Sequence, residues 1–359
     1  MDHEHKKIKI GITHGDYNGV GYEVILKAFE DPTMFDLCTP IVYGSQRIAS
    51  HYRKLLELPQ QTTCHIETAA EAKSAALNFI NVVGDEEQIT PGRSTEAAGR
   101  AALAALERAV KDLKAGEIDA LVTAPINKAN IQSPEFQFTG HTEYLEAASD
   151  DKDRRALMIM ASESGLRVAL ATIHKPLGEV APALTRELVG ARIRELNLAL
   201  RRDFGVHCPR IAVLALNPHA GDGGLIGREE EEIIAPAIAD ARAEKIQVFG
   251  PYPADGFFGA GSHRKFDGVL AMYHDQGLIP FKALCGTDGV NYTAGLDWVR
   301  TSPDHGTAYD IAGKGEADAQ SMRSAIYMAI DALRNRATDD AAFANPLKKL
   351  YQERGNRDN

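Results

Sequence analysis

The feature that most limits the fold is an alternation: short apolar runs are followed by longer amphipathic ones from residue 7 to about residue 335. Short runs rich in Val and Ile suit buried strands, and the stretches between them place apolar residues at helical spacing. Strand–helix alternation of this kind builds an α/β fold with a largely parallel sheet, because each return to the sheet needs a crossover long enough to hold a helix. The pattern predicts strands over Lys7–Thr13, Pro40–Gly44, Phe79–Gly84, Asp119–Ala124, Arg167–Ile173, Arg210–Leu216 and Asp267–Tyr273. It predicts helices over Ser94–Ala115, Ala183–Phe204, Glu229–Glu244 and Asp318–Asn335. In the first helix Leu103, Leu106, Val110 and Leu113 form a buried stripe with a structural role.

A chain of 359 residues allows about two domains, yet no linker or repeat marks a boundary. Two lobes that exchange segments fit better: residues 1–145 in a first α/β lobe, 146–300 in a second, and about 300–359 packing back on the first, with the active site in the cleft between. From Thr338 onward the polar composition predicts a surface helix and a frayed tail. The 40 Lys and Arg against 50 Asp and Glu give a formal charge of −10, which argues against a nucleic-acid partner. No apolar stretch approaches the ~20 residues of a membrane span, and the opening MDHEHKKIKI lacks an apolar leader core, so a cytoplasmic protein is expected. Cys38, Cys64, Cys208 and Cys285 form no CxxC pair and read as reduced thiols.

Three histidines share one position in three separate units: His174 ends LRVALATIH, His219 ends IAVLALNPH and His274 ends FDGVLAMYH. Residues distant in sequence converge beyond the carboxyl ends of strands in an open α/β sheet, so these imidazoles are expected to meet. Three imidazoles suit a divalent transition metal with positions left for substrate; Zn²⁺ is the first expectation, with Mg²⁺, Co²⁺ and Mn²⁺ as alternatives. His3, His5, His51, His65, His207 and His263 lack this context. Gly- and Asp-rich segments flank the trio, at 220–224 (AGDGG), 275–277 (DQG) and 301–308 (TSPDHGTA). Near the N-terminus GDYNGVGYEVILKAF has Gly19 and Gly21 opening a helix, a candidate anion-binding start. Neither GxGxxG nor a phosphate loop of the Walker type is present. A second polar group comprises Lys128, His141, Thr142, Lys282, Asn291 and Arg300, whose charges suit a phosphate or carboxylate on the substrate.

The segments VTAPINK (122–128), GHTEYL (140–145), LNPHAGDGG (216–224), PADGFF (253–258), MYHDQGL (272–278) and VRTSPDHGTAYDIAGKG (299–315) resemble the 4-hydroxythreonine-4-phosphate dehydrogenase family of pyridoxal phosphate biosynthesis. The resemblance runs from Ile10 to about Leu333. It departs at GDYNGVGYE, where the family pattern resembles GDPAGIGPE and Tyr17 and Tyr22 replace two prolines. The resemblance implies a two-lobed α/β/α fold similar to isocitrate and isopropylmalate dehydrogenases, which accounts for the missing GxGxxG. It implies NAD-dependent oxidation of 4-phosphooxy-L-threonine at C3, with decarboxylation to 3-amino-2-oxopropyl phosphate. By position, His174, His219 and His274 match the family's metal ligands, shared between the chains of a homodimer. His141, Thr142, Lys282, Asn291 and Arg300 match its substrate-binding residues. Asp255, Asp275 and Lys128 are the candidate bases, since a carboxylate or a desolvated Lys near a metal takes a proton at neutral pH. NADP in place of NAD, a threonate or erythronate 4-phosphate substrate, and, from another class, a phosphate acyltransferase on a similar fold stay open as alternatives.

Overall fold

The computed structural model describes residues 7–84, 86–150 and 155–344. Among them twelve strands form one sheet: β1 (Lys9–Thr13), β2 (Thr39–Gly44), β3 (Thr63–His65), β4 (Leu77–Asn81), β5 (Ala120–Thr123), β6 (Leu157–Ala161), β7 (Arg167–Leu170), β8 (Arg210–Leu214), β9 (Gln247–Tyr252), β10 (Gly268–Ala271), β11 (Val290–Ala294) and β12 (Val299–Pro303). Their order is β3-β4-β2-β1-β5-β12-β11-β6-β7-β10-β8-β9. Pairing is parallel from β3 across to β12, and again from β7 across to β9. The two blocks run in opposite senses, because β11 and β6 between them pair antiparallel with every neighbour.

Both faces of the sheet are covered, which is why the parallel strands read as near-continuous apolar runs. Val42 packs into one core layer while Ile41 and Tyr43 pack into the other. Helix Glu96–Lys114 lies against β1, β2 and β5, and helix Gln320–Ala344 against β12, β5 and β11. Helix Arg186–Arg202 packs on β6, β10 and β11, and helix His274–Cys285 on β7 and β10. All four cysteines are free, and no helix among the described residues is long and apolar enough to cross a membrane.

Several boundaries differ from the sequence expectation, each for a local reason. The expected helix at Ser94 starts at Glu96, because Thr95 is extended and its hydroxyl accepts the Ala98 N–H. Thr185 caps the next helix in the same way and moves its start from Ala183 to Arg186. The expected helix Glu229–Glu244 opens with a π-turn over Glu230–Ile234 before turning α-helical at Ala235. The last helix runs unbroken from Gln320 to Ala344, so Thr338 continues it; the tail expected beyond, 345–359, lies outside the described residues. The strands expected to reach Ile173 and Tyr273 leave the ladder after Leu170 and Ala271. β3, β6, β9, β11 and β12 were not expected as strands, nor was helix His141–Ala148.

The N-terminal glycines serve close packing. A side chain at Gly21 would strike the His14 carbonyl, and one at Gly19 the Thr307 carbonyl. The helix Gly21–Ala28 is buried at its start, which corrects the expectation of an open anion site there. Tyr22 stacks between His14 and Tyr52, at 5.4 and 5.8 Å between ring centroids, and its hydroxyl accepts the Ser45 N–H at 2.7 Å. The Tyr52 hydroxyl donates to the Tyr17 carbonyl. The two tyrosines at the departed positions are thus core residues.

Full burial holds the His14 imidazole down at about 4. The unfolded chain takes this proton near 6.5, so it binds more protons than the native state between these limits, and stability falls as pH drops through that window. The loss from this residue reaches about 3 kcal/mol. Denaturant unfolding of His14→Phe should show a shallower fall between pH 6.5 and pH 4 than the parent; identical slopes would refute the attribution.

Candidate active site

A cavity of about 410 Å³ opens over the middle of the sheet. Lys128 reaches it from the loop after β5, and His141, Thr142 and Glu143 from the helix His141–Ala148. His174 comes from the loop after β7, while His274, Asp275 and Lys282 come from the helix that follows β10. Asn291 and Arg300 stand on β11 and β12 themselves. Both parallel blocks therefore supply the site, and nine of the eleven residues expected from the sequence line it.

Arg300 is 2% exposed, and the β11–β12–β5 register explains how its guanidinium is held. It donates to the Thr293 hydroxyl at 2.9 Å and to the Thr123 hydroxyl at 2.6 Å, while its Nε has no partner. Burial lowers this guanidinium and the Glu143 carboxylate offsets part of the effect; the group stays charged at neutral pH. His141 is pulled well below the ordinary imidazole range by burial and by the charges of Arg300 and Lys128, so it is neutral. Lys282 Nζ pairs with Asp304 Oδ1 at 3.0 Å. Burial raises the Asp304 carboxyl, and Lys282 opposes that rise. Five buried polar atoms on the lining lack a hydrogen-bond partner: His141 Nε2, Glu143 Oε2, Asn291 Oδ1, Arg300 Nε and His305 Nε2. Each such atom costs about 1–3 kcal/mol when left unpaired, so their convergence marks a polar ligand site.

The three histidines follow three neighbouring parallel strands, β7, β10 and β8. The rings of His174 and His274 are 6.1 Å apart between centroids. His174 Nδ1 is 3.1 Å from Glu143 Oε1, and His274 Nδ1 is 2.8 Å from Asp275 Oδ1. A carboxylate at Nδ1 leaves Nε2 as the ligating atom, an arrangement that fits metal-binding imidazoles. Burial would raise the Glu143 carboxyl, but the bonds from His174, Thr139 and its own backbone N–H prevail and hold it at about 2. His219 stands apart: it lies exposed in a left-handed turn over Pro218–Gly221, with φ 52°, and does not line the cavity. Among the described residues no three His, Cys, Asp or Glu side chains are grouped to hold a metal ion. Asp255 is exposed on helix Ala254–Gly259 and also lies off the cavity. Lys128 Nζ is 3.3 Å from His174 Nε2.

Sequence reasoning left Glu143, Asp304, Thr123 and Thr293 without roles. Glu143 and Asp304 lie inside quoted motifs, GHTEYL and TSPDHGTA, but only the fold shows what their carboxylates touch. A second cavity of about 240 Å³, lined by Val20, Val24, Ala308 and Ile311 among others, shares Asp304 and His305 with the first.

Residues 36–329 match the family model described as pyridoxal phosphate biosynthetic protein PdxA. Over 351 residues the chain is 54% identical to the 4-hydroxythreonine-4-phosphate dehydrogenase of Bacteroides thetaiotaomicron, covering 98% of this chain and 96% of that one. It is 41% identical over 327 residues to a Cutibacterium acnes protein named "Putative D-threonate 4-phosphate dehydrogenase", covering 90% and 93%. The crystal structure of 4-hydroxythreonine-4-phosphate dehydrogenase from Klebsiella pneumoniae superposes with a TM-score of 0.79 at 35% identity, over 92% of this chain and 99% of that one.

The unpaired donors predict that a small anion binds here. Inorganic phosphate should raise the melting temperature of the parent, by the equivalent of about 2.7 kcal/mol at a hundredfold excess over its Kd, and Lys282→Ala should lose most of the gain. An unshifted parent in saturating phosphate would show that the cavity has no anion site.

Proposed function

Because the chain belongs to the pyridoxal phosphate biosynthetic protein PdxA family and is an oxidoreductase, we propose that it oxidises 4-phosphooxy-L-threonine at C3 with NAD. Decarboxylation to 3-amino-2-oxopropyl phosphate follows. The observation that carries this reading is the cavity itself, where cationic side chains and unpaired polar atoms surround two carboxylate-oriented imidazoles. The acyltransferase alternative gives way to dehydrogenase chemistry.

In this reading Lys282 and Arg300 hold the phosphate through charge-assisted bonds, and His141, Thr142 and Asn291 hold the remaining polar groups of the substrate. His174 and His274 are two of the ligands for a divalent ion, Zn²⁺ first, with Mg²⁺, Co²⁺ and Mn²⁺ as alternatives. When bound, the ion supplies Lewis-acid chemistry and NAD, or NADP, supplies the hydride acceptor. Lys128 and Asp275 line the cavity and Asp255 does not, so the first two are the nearer candidates for moving the hydroxyl proton.

We read His219 as the ligand that one chain lends to a homodimeric partner. Its exposed position supports this, as do the exposed apolar side chains near the three histidines: Leu177, Leu225, Ile226 and Ile279. We keep the lobe boundaries expected from the sequence, near residues 145 and 300, and assign the protein to the cytoplasm.

A second reading, oxidation of threonate or erythronate 4-phosphate, draws on the Cutibacterium acnes relative. Absorbance at the NADH band, with and without added divalent metal, should show metal-dependent turnover of 4-phosphooxy-L-threonine, and mass spectrometry should find the three-carbon amino ketone phosphate. A kcat/KM at least tenfold higher for the hydroxy acid, about 1.4 kcal/mol, would overturn the amino-acid assignment.

A further inference from the structure

Glu143 lies outside every role assigned so far to the substrate or the reacting groups, yet it is a half-buried carboxylate on the cavity wall. It sits one helical position beyond Thr142, with Oε1 3.1 Å from His174 Nδ1. On the other side of the same ring, Lys128 Nζ is 3.3 Å from His174 Nε2. A carboxylate only accepts hydrogen bonds, so the proton between Glu143 and His174 must be on Nδ1. In its charged form Lys128 only donates, and Nε2 then presents its lone pair toward it. Two partners from separate segments, one at each nitrogen, thus select the same tautomer. That tautomer is the less common one for a free neutral imidazole, and it is the one with a lone pair on Nε2, which a cation takes in place of the Lys128 ammonium.

We propose that Glu143 is a positioning residue that fixes the tautomer and ring orientation of His174, and so sets the affinity of this site for a divalent cation. The metal part of this inference rests on the reading of His174 as a ligand given above. The backbone supports the placement: Glu143 lies in the first turn of its helix, beside the main-chain N–H groups that favour a negative charge there. His274 has a comparable contact, but with Asp275, its immediate chain neighbour and largely exposed at 71%. Glu143 instead reaches across 31 residues and is the more enclosed of the two. The fold, and not chain proximity, brings it to the imidazole.

The test uses full-length protein, ¹⁵N-histidine labelling and Co²⁺ alone as the probe. Parent protein without metal should show His174, identified by the signal lost in His174→Ala, with a protonated Nδ1 and a bare Nε2. Glu143→Ala should move the proton to Nε2 and weaken Co²⁺ binding by roughly 10–100-fold, the usual effect of losing such a partner. Glu143→Gln, which keeps the shape and an accepting oxygen, should recover part of both readouts and guards against an effect of misfolding. If Glu143→Ala leaves the tautomer and the Co²⁺ affinity unchanged while His174→Ala abolishes binding, the Glu143 assignment is wrong and the metal reading survives. If His174→Ala leaves Co²⁺ affinity unchanged, the metal reading fails, and the tautomer decides the role of Glu143: a proton moved in Glu143→Ala supports it, and one unmoved overturns it.

Discussion

A guanidinium buried in the middle of a twelve-stranded sheet is the constraint around which the rest of this structure is arranged. Arg300 is almost fully enclosed and is held by two threonine hydroxyls, not by a bonded carboxylate. Such a charge is costly in a dry core, and the cost falls when an anion completes its shell. Thr293 and Thr123 reach it only because β11 pairs antiparallel with β12 while β12 pairs parallel with β5. The reversal of strand direction at the centre of the sheet is therefore part of the site. It lets loops from two parallel blocks close over one cavity.

The electrostatics around that cavity are graded. Lys128, Lys282 and Arg300 contribute positive charge, and Glu143, Asp275 and Asp304 each engage a specific partner. His141, kept neutral between two cations, can serve as a hydrogen-bonding group without adding to the charge. Three cations face three carboxylates, so the attraction for an anion is local, at the Arg300 guanidinium that no carboxylate bonds, beside imidazoles in contact with Glu143 and Asp275. The dehydrogenase family to which the chain belongs gives this arrangement its chemical setting.

Much of this was legible in the amino-acid order. The strands that carry His174, His219 and His274 read clearly because each is an apolar run buried on both faces, and their adjacency in the sheet places the three residues at neighbouring strand ends. β11 and β12 were illegible as strands because VNYTA and VRTSP carry polar residues where a strand covered on both faces is expected to be apolar: Asn291, Arg300 and Ser302 line the cavity, and Thr301 bonds the last helix. The role of Glu143 could not be read either, since the contact with His174 exists only once β7 and the helix His141–Ala148 are in place. His219 shows the opposite case: its strand is where the pattern puts it, but a left-handed turn carries the residue outward. Tyr17 and Tyr22, conspicuous departures in the sequence, turn out to fill the core beneath the N-terminal loop.

In the proposed function one cavity holds both the phosphorylated substrate and the metal ion. A crystal structure with 4-phosphooxy-L-threonine and Zn²⁺ tests it most directly. The phosphate should lie against Lys282 and Arg300, and the ion on Nε2 of His174 and His274. Ligand density elsewhere on the molecule, or an ion that contacts neither histidine, would contradict it.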